Sequence, residues 1–287
     1  MEKGFDLKRF GLMVRWDLMT NWKSSVRIVL SMALGLLLMY ELNMVNRIDR
    51  SWADVSQDVW YIWFEEMVWQ TTIAFMFFML AGASLIFVCM KTRQQRTAFI
   101  MLPVSPAEKF LARLLYATVG FFVMFFAASV IADLLRLVIS FIIGPRMFGS
   151  VVLTGICDFY DGVTGLLINW DERRADFWFN TRNMTEGLWE MATLVFFALF
   201  VHALYILGGL LFRRHAFLST TFSLIVFGLI LGWININPNS VRVMIGDIVH
   251  PNRIYPFFFG ALTVLCYWGA YRIYRRMQVI NNKWTNL

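Results

Sequence analysis

Six apolar runs, each close to the length that crosses a lipid bilayer, divide this sequence. A bilayer-spanning helix needs about 20 consecutive apolar residues. The chain has 287 residues, of which 59% are hydrophobic and only 16% are charged, and this is more apolar surface than a soluble core of that size requires. We therefore predict an all-α integral membrane protein with a single transmembrane domain over 1–287. The predicted spans are 26–45, 71–90, 114–143, 191–212, 216–234 and 255–271.

Charge is distributed unevenly between the segments that join these spans. With the N-terminus placed in the cytoplasm, the inner segments contain 17 Lys and Arg against 4 Asp and Glu, and the outer segments contain 8 against 13. Positively charged loops are retained on the cytoplasmic side of membranes. We predict that both termini are cytoplasmic. The inner loops account for the net charge of +7, so it does not indicate nucleic-acid binding.

Three segments outside the spans have patterns of their own. Over 1–25, apolar residues recur at helical spacing on a charge-free face, which predicts an amphipathic helix along the inner membrane surface. Tryptophan and tyrosine are concentrated over 58–69, which predicts an interfacial helix ahead of the second span. The outer segment 144–190, with 47 residues, is too long for a simple connection, and we predict that it forms an external cap.

The inner segment between the second and third spans reads KTRQQRTAFIMLPVSPAEKFLARLL and contains two helix signals. Pro103 lacks a backbone donor and biases Leu102 away from the helical region, so an incoming helix ends there. In SPAE, Ser105 can cap a new helix, Pro106 suits the first helical position, and Glu108 lies where a capping box places its acid. The sequence therefore predicts a sharp elbow whose second helix starts at Pro106 and continues into the third span.

This elbow, over 97–113, is the first candidate for a functional site. Basic residues lie on both of its arms, and it is predicted to be rigid and exposed to the cytoplasm. A connection that only joined two spans could be as short as 213–215, between the fourth and fifth spans. We interpret the elbow as a docking surface for a cytoplasmic partner. The residues expected to form it are Arg96, Ser105, Pro106, Glu108, Lys109 and Arg113.

The pattern resembles the membrane subunit of ABC-2 type transporters. In that family, six spans follow an amphipathic N-terminal helix, and the loop between spans two and three has a charged segment, a turn of leucine, proline and a small polar residue, and a short coupling helix that inserts into the ATPase subunit. The stretch LGGLLFRRHAFLST over 207–220 is also similar to the fourth-to-fifth connection of family members. The resemblance implies an exporter subunit of a bacterial inner membrane.

The resemblance also implies the partners. The sequence has no G-x-x-x-x-G-K-[ST] phosphate loop, so we expect this chain to be a transport subunit rather than an enzyme and to bind no cofactor itself. ATP and Mg²⁺ would belong to a separate ABC ATPase subunit, and a second permease subunit, either the same chain or a sister chain, would complete the transporter among membrane lipids. ATP-driven closure of the ATPases would push the elbow and produce alternating access.

Four ionisable residues lie inside the predicted spans, where their energetic cost makes them candidates for the transport pathway. Asp133 and Arg136 are three residues apart on one helix face and can neutralise each other, so a structural pair and a substrate contact remain open. For His202, a hydrogen bond between helices is the alternative to a transport role. For Glu41, near the outer end of the first span, the alternative is snorkelling to the interface.

Two other classes of protein remain as alternatives. A membrane scaffold or sensor with a non-ATPase cytoplasmic partner would also display a docking elbow. The pair Glu65 and Glu66 resembles the paired glutamates of CAAX-processing membrane proteases, but Gln70 stands where that motif has arginine. The three histidines lie in a span, an inner loop and an outer loop, so we expect no metal site.

Overall fold

The computed structural model describes residues 5–45, 57–87, 93–143, 149–167, 181–212, 215–235 and 253–276. These described residues are almost entirely helical and contain no β-strand. The all-α class is therefore confirmed for them. The helices are α1 (Leu7–Val45), α2 (Gln57–Ser84), α3 (Arg93–Ile100), α4 (Pro106–Leu115), α5 (Phe121–Ile143), α6 (Val151–Leu167), α7 (Thr181–Leu211), α8 (Ala216–Asn235) and α9 (Tyr255–Arg276).

Four helical stretches within the described ranges are long and apolar enough to cross a membrane, by length and composition. They are Leu7–Met44, Trp63–Ser84, Pro106–Ile142 and Met191–Leu211. The fifth and sixth predicted spans coincide with α8 and α9. The count of six spans stays a prediction.

The first predicted boundary differs from the structure. We predicted an interfacial helix over 1–25 and a separate span from 26, whereas α1 is one helix from Leu7 to Val45. Residues 7–45 contain no proline, and their only glycines are Gly11 and Gly35, so nothing in the sequence forces a break between the two parts.

The second predicted boundary also differs. The aromatic stretch 58–69, predicted as an interfacial helix, is the first part of α2, which ends at Ser84 rather than near 90. Trp63, Phe64 and Met67 are buried, so this part of α2 packs against protein. Its interfacial position stays a prediction.

The chain divides into two compact units. The first contains Met1–Met13, Leu80–Ala117 and Gly165–Leu287, and the second contains Val14–Met79 and Thr118–Thr164. In the first unit, α7 packs against both α8 and α9. In the second unit, α1, α2, α5 and the start of α6 share one apolar core. Its buried members are Met32, Ala33, Leu36, Tyr40, Met44, Trp63, Phe64, Met67, Phe125, Ala128, Ala132 and Val151.

Two adjacent glycines of the first unit permit close helix packing. A Cβ atom at Gly208 would overlap the side chain of Thr220 on α8, and a Cβ atom at Gly209 would overlap the carbonyl oxygen of Ser84 at the end of α2. Small residues let helix backbones approach in this way. The GG of LGGLL therefore sets the distance from α7 to both neighbours.

The predicted external cap contains α6, which lies alongside α2 and α5 rather than beyond their ends. Gly149 is in contact with the ring of Phe64, and a Cβ atom at Gly155 would lie 3.5 Å from Val68, so α6 runs beside α2. The last part of the predicted cap, 181–190, is helical and belongs to α7. Residues 168–180 lie outside the described residues.

The predicted third span continues from the helix that starts at Pro106, as predicted, and it contains a π-helical turn that was not predicted. The helix that starts at Pro106 continues through a π-helical turn, Tyr116–Gly120, into α5 without a break. A π-turn inserts an extra residue into the helical ladder and is frequent at functional positions. The predicted continuity from the elbow into the span is therefore present.

Candidate functional site

The start of α4 has the predicted capping box. Ser105 has an extended backbone, with φ −64° and ψ 152°, and Pro106 occupies the first helical position. The backbone N–H of Glu108 donates to Ser105 Oγ at 3.3 Å, and the N–H of Ser105 donates to Glu108 Oε2 at 3.0 Å. These two bonds satisfy donors that a helix start otherwise leaves unpaired. The elbow therefore has a defined turn.

The carboxylate of Glu108 also binds the start of α1. Its Oε1 accepts the backbone N–H of Asp6 at 2.7 Å and Nη2 of Arg9 at 3.1 Å. Asp6 in turn caps α1, because its Oδ1 accepts the N–H of Lys8 at 2.9 Å. Glu108 is completely buried. One carboxylate thus joins two helix starts, and the positive ends of both helix dipoles favour its negative charge.

The basic side chains of α4 face inward as well. Arg113 Cζ lies 5.1 Å and Lys109 Nζ 6.0 Å from the centre of the Phe99 ring, which comes from α3. Both side chains are buried, and Phe99 is 2% exposed. A cation close to an aromatic face is attracted by the ring quadrupole. These contacts pack the two arms of the elbow, α3 and α4, against each other.

An aromatic cluster fixes the elbow to the C-terminal helix. The ring of Phe110 lies 5.6 Å from Tyr271 and 5.8 Å from Tyr274, both on α9. Phe87 stacks on Tyr274 at 5.1 Å. Such offset and edge-to-face pairs contribute beyond the burial of their area. Helix α4 is therefore packed by α1, α3 and α9.

The turn between α3 and α4 remains exposed. Met101 is 77% exposed, and Pro103 and Pro106 are also exposed. We name these three residues the elbow tip. Pro103 and Pro106 restrict the backbone that follows Met101, and a restricted backbone lowers the entropy cost of binding.

The six predicted docking residues fall into two groups. Pro106 is exposed and Ser105 is half-buried, so both are accessible to a partner. Glu108, Lys109 and Arg113 are buried. Their side chains pack against α1 and α3, and a docking role for these three residues stays a prediction. The sixth residue, Arg96, lies on α3, and its side chain is outside the described part of the structure.

The second unit contains the predicted pair Asp133 and Arg136. Arg136 Nη2 and Nε lie 3.0 and 3.2 Å from Asp133 Oδ1, and both residues are buried. Arg136 also donates to the carbonyl oxygen of Gly149, and its guanidinium lies 5.3 Å from the Phe64 ring centre. The predicted neutralisation is confirmed. Buried charges of this kind are tolerated when paired and hydrogen-bonded.

Asp133 also organises the start of α6. Its carboxylate accepts the hydroxyl of Ser150 and the backbone N–H groups of Val151 and Val152, the latter two at 3.2 and 3.4 Å. Ser150 Oγ accepts the N–H of Leu153 at 3.2 Å, as an N-cap does. The contacts of Asp133 are therefore structural, since they hold α6 against α5.

His202 and Glu41 have different surroundings. His202 Nδ1 lies 3.2 Å from the hydroxyl of Tyr267, which joins α7 to α9 and confirms the predicted hydrogen bond between helices. Glu41 is half-buried, and its Oε1 has no hydrogen-bond partner among the described residues. Of the four candidate pathway residues, Glu41, Asp133 and Arg136 belong to the second unit and His202 belongs to the first.

Sequence reasoning missed the residues that hold the elbow from other parts of the chain. Asp6 and Arg9 precede Glu108 by about 100 positions, and Tyr274 follows Phe110 by more than 160. The only local signal was the polar start of the N-terminal helix. Pairing with Glu108 depends on the fold, so spacing alone does not reveal it.

The membrane-length helices are compatible with a multi-pass membrane protein, and a capped elbow lies between two of them. Comparison of the chain with protein-family models, with curated proteins and with solved structures finds no match. The geometry of the elbow, together with the pattern of its sequence, therefore supports the functional proposal.

Proposed function

We propose that this chain is the transmembrane subunit of an ATP-driven exporter of the ABC-2 type. In this proposal it spans a bacterial inner membrane six times with both termini in the cytoplasm. It forms the substrate pathway with a second permease subunit, the same chain or a sister chain, and its elbow over 103–113 docks on a separate ATPase subunit. The direction of transport rests on the family resemblance.

The observation that supports the proposal most strongly is the construction of the elbow. Residues 101–105 form a short turn in which Met101 and Pro103 are exposed. Helix α4 is held by charged and aromatic contacts of Glu108, Lys109, Phe110 and Arg113. A part that transmits force must not deform when it is pushed. The capping box, the Glu108 contacts and the Phe110 cluster supply that stiffness, and α4 continues directly into the third predicted span.

Within the proposal, the residues of the elbow have different roles. The elbow tip and Ser105 would contact the ATPase, because they are accessible. Glu108, Lys109 and Arg113 are positioning residues, because they are buried and fix the tip in place.

The test is co-purification of the tagged protein in mild detergent, with mass spectrometry of the proteins that accompany it. The variant Met101→Asp places a charge on the tip, and Met19→Asp is the matched control, since Met19 is 64% exposed on α1. An interface hot spot contributes about 2 kcal/mol or more, so Met101→Asp should weaken binding roughly thirtyfold. We expect a stoichiometric ATPase with the wild type and with Met19→Asp, and its loss with Met101→Asp.

Two results would count against the proposal. If no ATPase accompanies the folded wild-type protein, the scaffold or sensor class becomes the better account. If an ATPase binds equally well to Met101→Asp, the exporter class stands but the elbow tip is not its docking site.

A further inference from the structure

The second unit contains an apolar pocket that the proposed docking role does not use. Its volume is about 300 Å³, which lies at the lower end of the range of ligand sites. The pocket lies between α2, α5 and α6, and its walls are mainly aliphatic and aromatic. Prominent among them are Val68, Phe75, Phe122, Phe126, Ile156 and Phe159.

The lining of the pocket suits an apolar ligand. No ionisable side chain is among its lining residues, all of which are described. Its three hydroxyl groups are already bonded to backbone carbonyl oxygens of their own helices: Thr71 to Met67 at 2.7 Å, Thr72 to Val68 at 2.9 Å and Ser129 to Phe125 at 3.0 Å. A charged or strongly polar ligand would lose its hydration without replacement in such a place.

The mouth of the pocket opens on an apolar surface. Phe122, Phe126, Ile156 and Phe159 are each about half exposed or more, at 52%, 48%, 50% and 74%. Residues 122–129 of α5 lie well inside the predicted third span, so in the proposed membrane placement this mouth faces hydrocarbon rather than water. The molecule present there is a membrane lipid, and the part of it at that depth is an acyl chain.

The position of α6 creates the pocket. Asp133 holds the first residues of α6 beside α5, and Ile156 and Phe159 then line the pocket together with Phe122 and Phe126, which precede Asp133 on α5. Helix α6 therefore runs antiparallel to α5 and covers one side of the space between α5 and α2. Gly155 faces this space, where a larger side chain would fill it.

We infer that this pocket binds one acyl chain of a membrane phospholipid. The inference rests on the membrane placement in the proposed function but not on the ATPase partner. The lipid chain enters from the side, between α5 and α6, and its methylene groups contact the phenylalanine rings. Binding is apolar, so it selects for the chain and not for a headgroup.

The test uses the purified full-length protein in nanodiscs of phosphatidylethanolamine and phosphatidylglycerol that contain a phospholipid with a photoreactive acyl chain. After illumination, mass spectrometry maps and quantifies the labelled peptides while the fraction of photoreactive lipid is varied. Label at a binding site saturates, whereas label from bulk lipid rises in proportion. The exposed outer end of α5, at Phe141 and Ile142, reports the bulk lipid.

Two glycines of α6 provide the variant and its control. Gly155→Leu fills the pocket, and Gly162→Leu makes the same change where an added Cβ atom would meet no other part of the described structure within 4 Å. We expect the peptides of the pocket to show saturable label in the wild type and in Gly162→Leu, and to lose the saturable part in Gly155→Leu. If Gly155→Leu does not fold, Thr72→Phe fills the pocket from α2 instead.

Several results would overturn the inference. These are pocket label that is only proportional to lipid fraction, saturable label that persists in a folded pocket-filling variant, and absence of pocket label because a second copy of the chain covers the mouth. Membrane fractionation of cells that produce the protein tests the membrane placement by itself, so a wrong placement can be told from an absence of lipid binding in the pocket. The ATPase co-purification is independent of both results.

Discussion

Glu108 combines two tasks that are usually given to separate residues. It is the capping acid of α4 and accepts hydrogen bonds from the backbone N–H of Asp6, just before α1, and from Arg9, the first arginine of α1. A fully buried carboxylate is costly unless its oxygens are satisfied, and here both of them accept hydrogen bonds. This one side chain therefore links the N-terminal helix to the elbow.

Replacing Glu108 by alanine should lower the thermal stability of the protein more than replacing Ser105 does. Loss of a cap costs about 1 kcal/mol, and Glu108→Ala also removes the bonds from Asp6 and Arg9. Thermal unfolding in detergent measures the difference. Glu65→Ala is the control, because Glu65 is exposed, and it should leave the melting temperature unchanged. Equal melting temperatures for Glu108→Ala and the wild type would contradict the role given to Glu108.

For single residues, the sequence predicts contacts between positions that are close along the chain. Ser105 and Glu108 are three positions apart, and the geometry of a helix start requires their exchange of hydrogen bonds. The burial of Lys109 and Arg113 was not predictable in the same way. A lysine and an arginine at the start of a helix are normally solvated, whereas here both lie against Phe99 on the opposite arm.

Among the helices, α7 packs closely on its neighbours through two small residues, Gly208 and Gly209. The close approach of Gly209 to the backbone of Ser84, and of Gly208 to the side chain of Thr220, brings α7 against two neighbours. At Gly209, the neighbouring atom is a backbone carbonyl oxygen, which cannot rotate away. Helix packing there has no room for even one methyl group.

The change Gly209→Ala should therefore destabilise the protein by about 1–3 kcal/mol, the usual cost of overpacking a tight contact. Gly228→Ala is the matched control on α8, since a Cβ atom at Gly228 would meet nothing within 4 Å. Alanine favours the helix over glycine, so this control should be neutral or stabilising. Chemical or thermal unfolding in detergent compares the two. A Gly209→Ala protein as stable as Gly228→Ala would show that α7 is not packed as described.

The sequence could not place α6. Its 17 residues are too few for a reliable span and include Asp158 and Asp161, so the segment reads as part of an external cap. The contacts that bring it alongside α2 and α5 come from Asp133, Phe64 and Val68, and none of these is near α6 in sequence. By contrast, α4 was predictable because its start signals are contiguous.

For the whole molecule, composition and charge are the strongest guides. The long apolar helices are compatible with a multi-pass membrane protein, and the uneven distribution of basic residues indicates which loops face the cytoplasm. In the proposed orientation, the elbow tip and the start of α1 lie on the cytoplasmic side. An ATPase partner could reach the elbow only from the cytoplasm, so the proposed docking site requires this orientation.

The most direct test of this account is photo-crosslinking in living cells with a photoreactive amino acid in place of Met101, and in place of Met19 as the control. Mass spectrometry then identifies any protein joined to the chain. The account predicts that position 101 crosslinks to a protein that carries a G-x-x-x-x-G-K-[ST] phosphate loop and that position 19 does not. A crosslink from position 101 to a protein without nucleotide-binding motifs, or none at all from a folded and membrane-inserted protein, would contradict it.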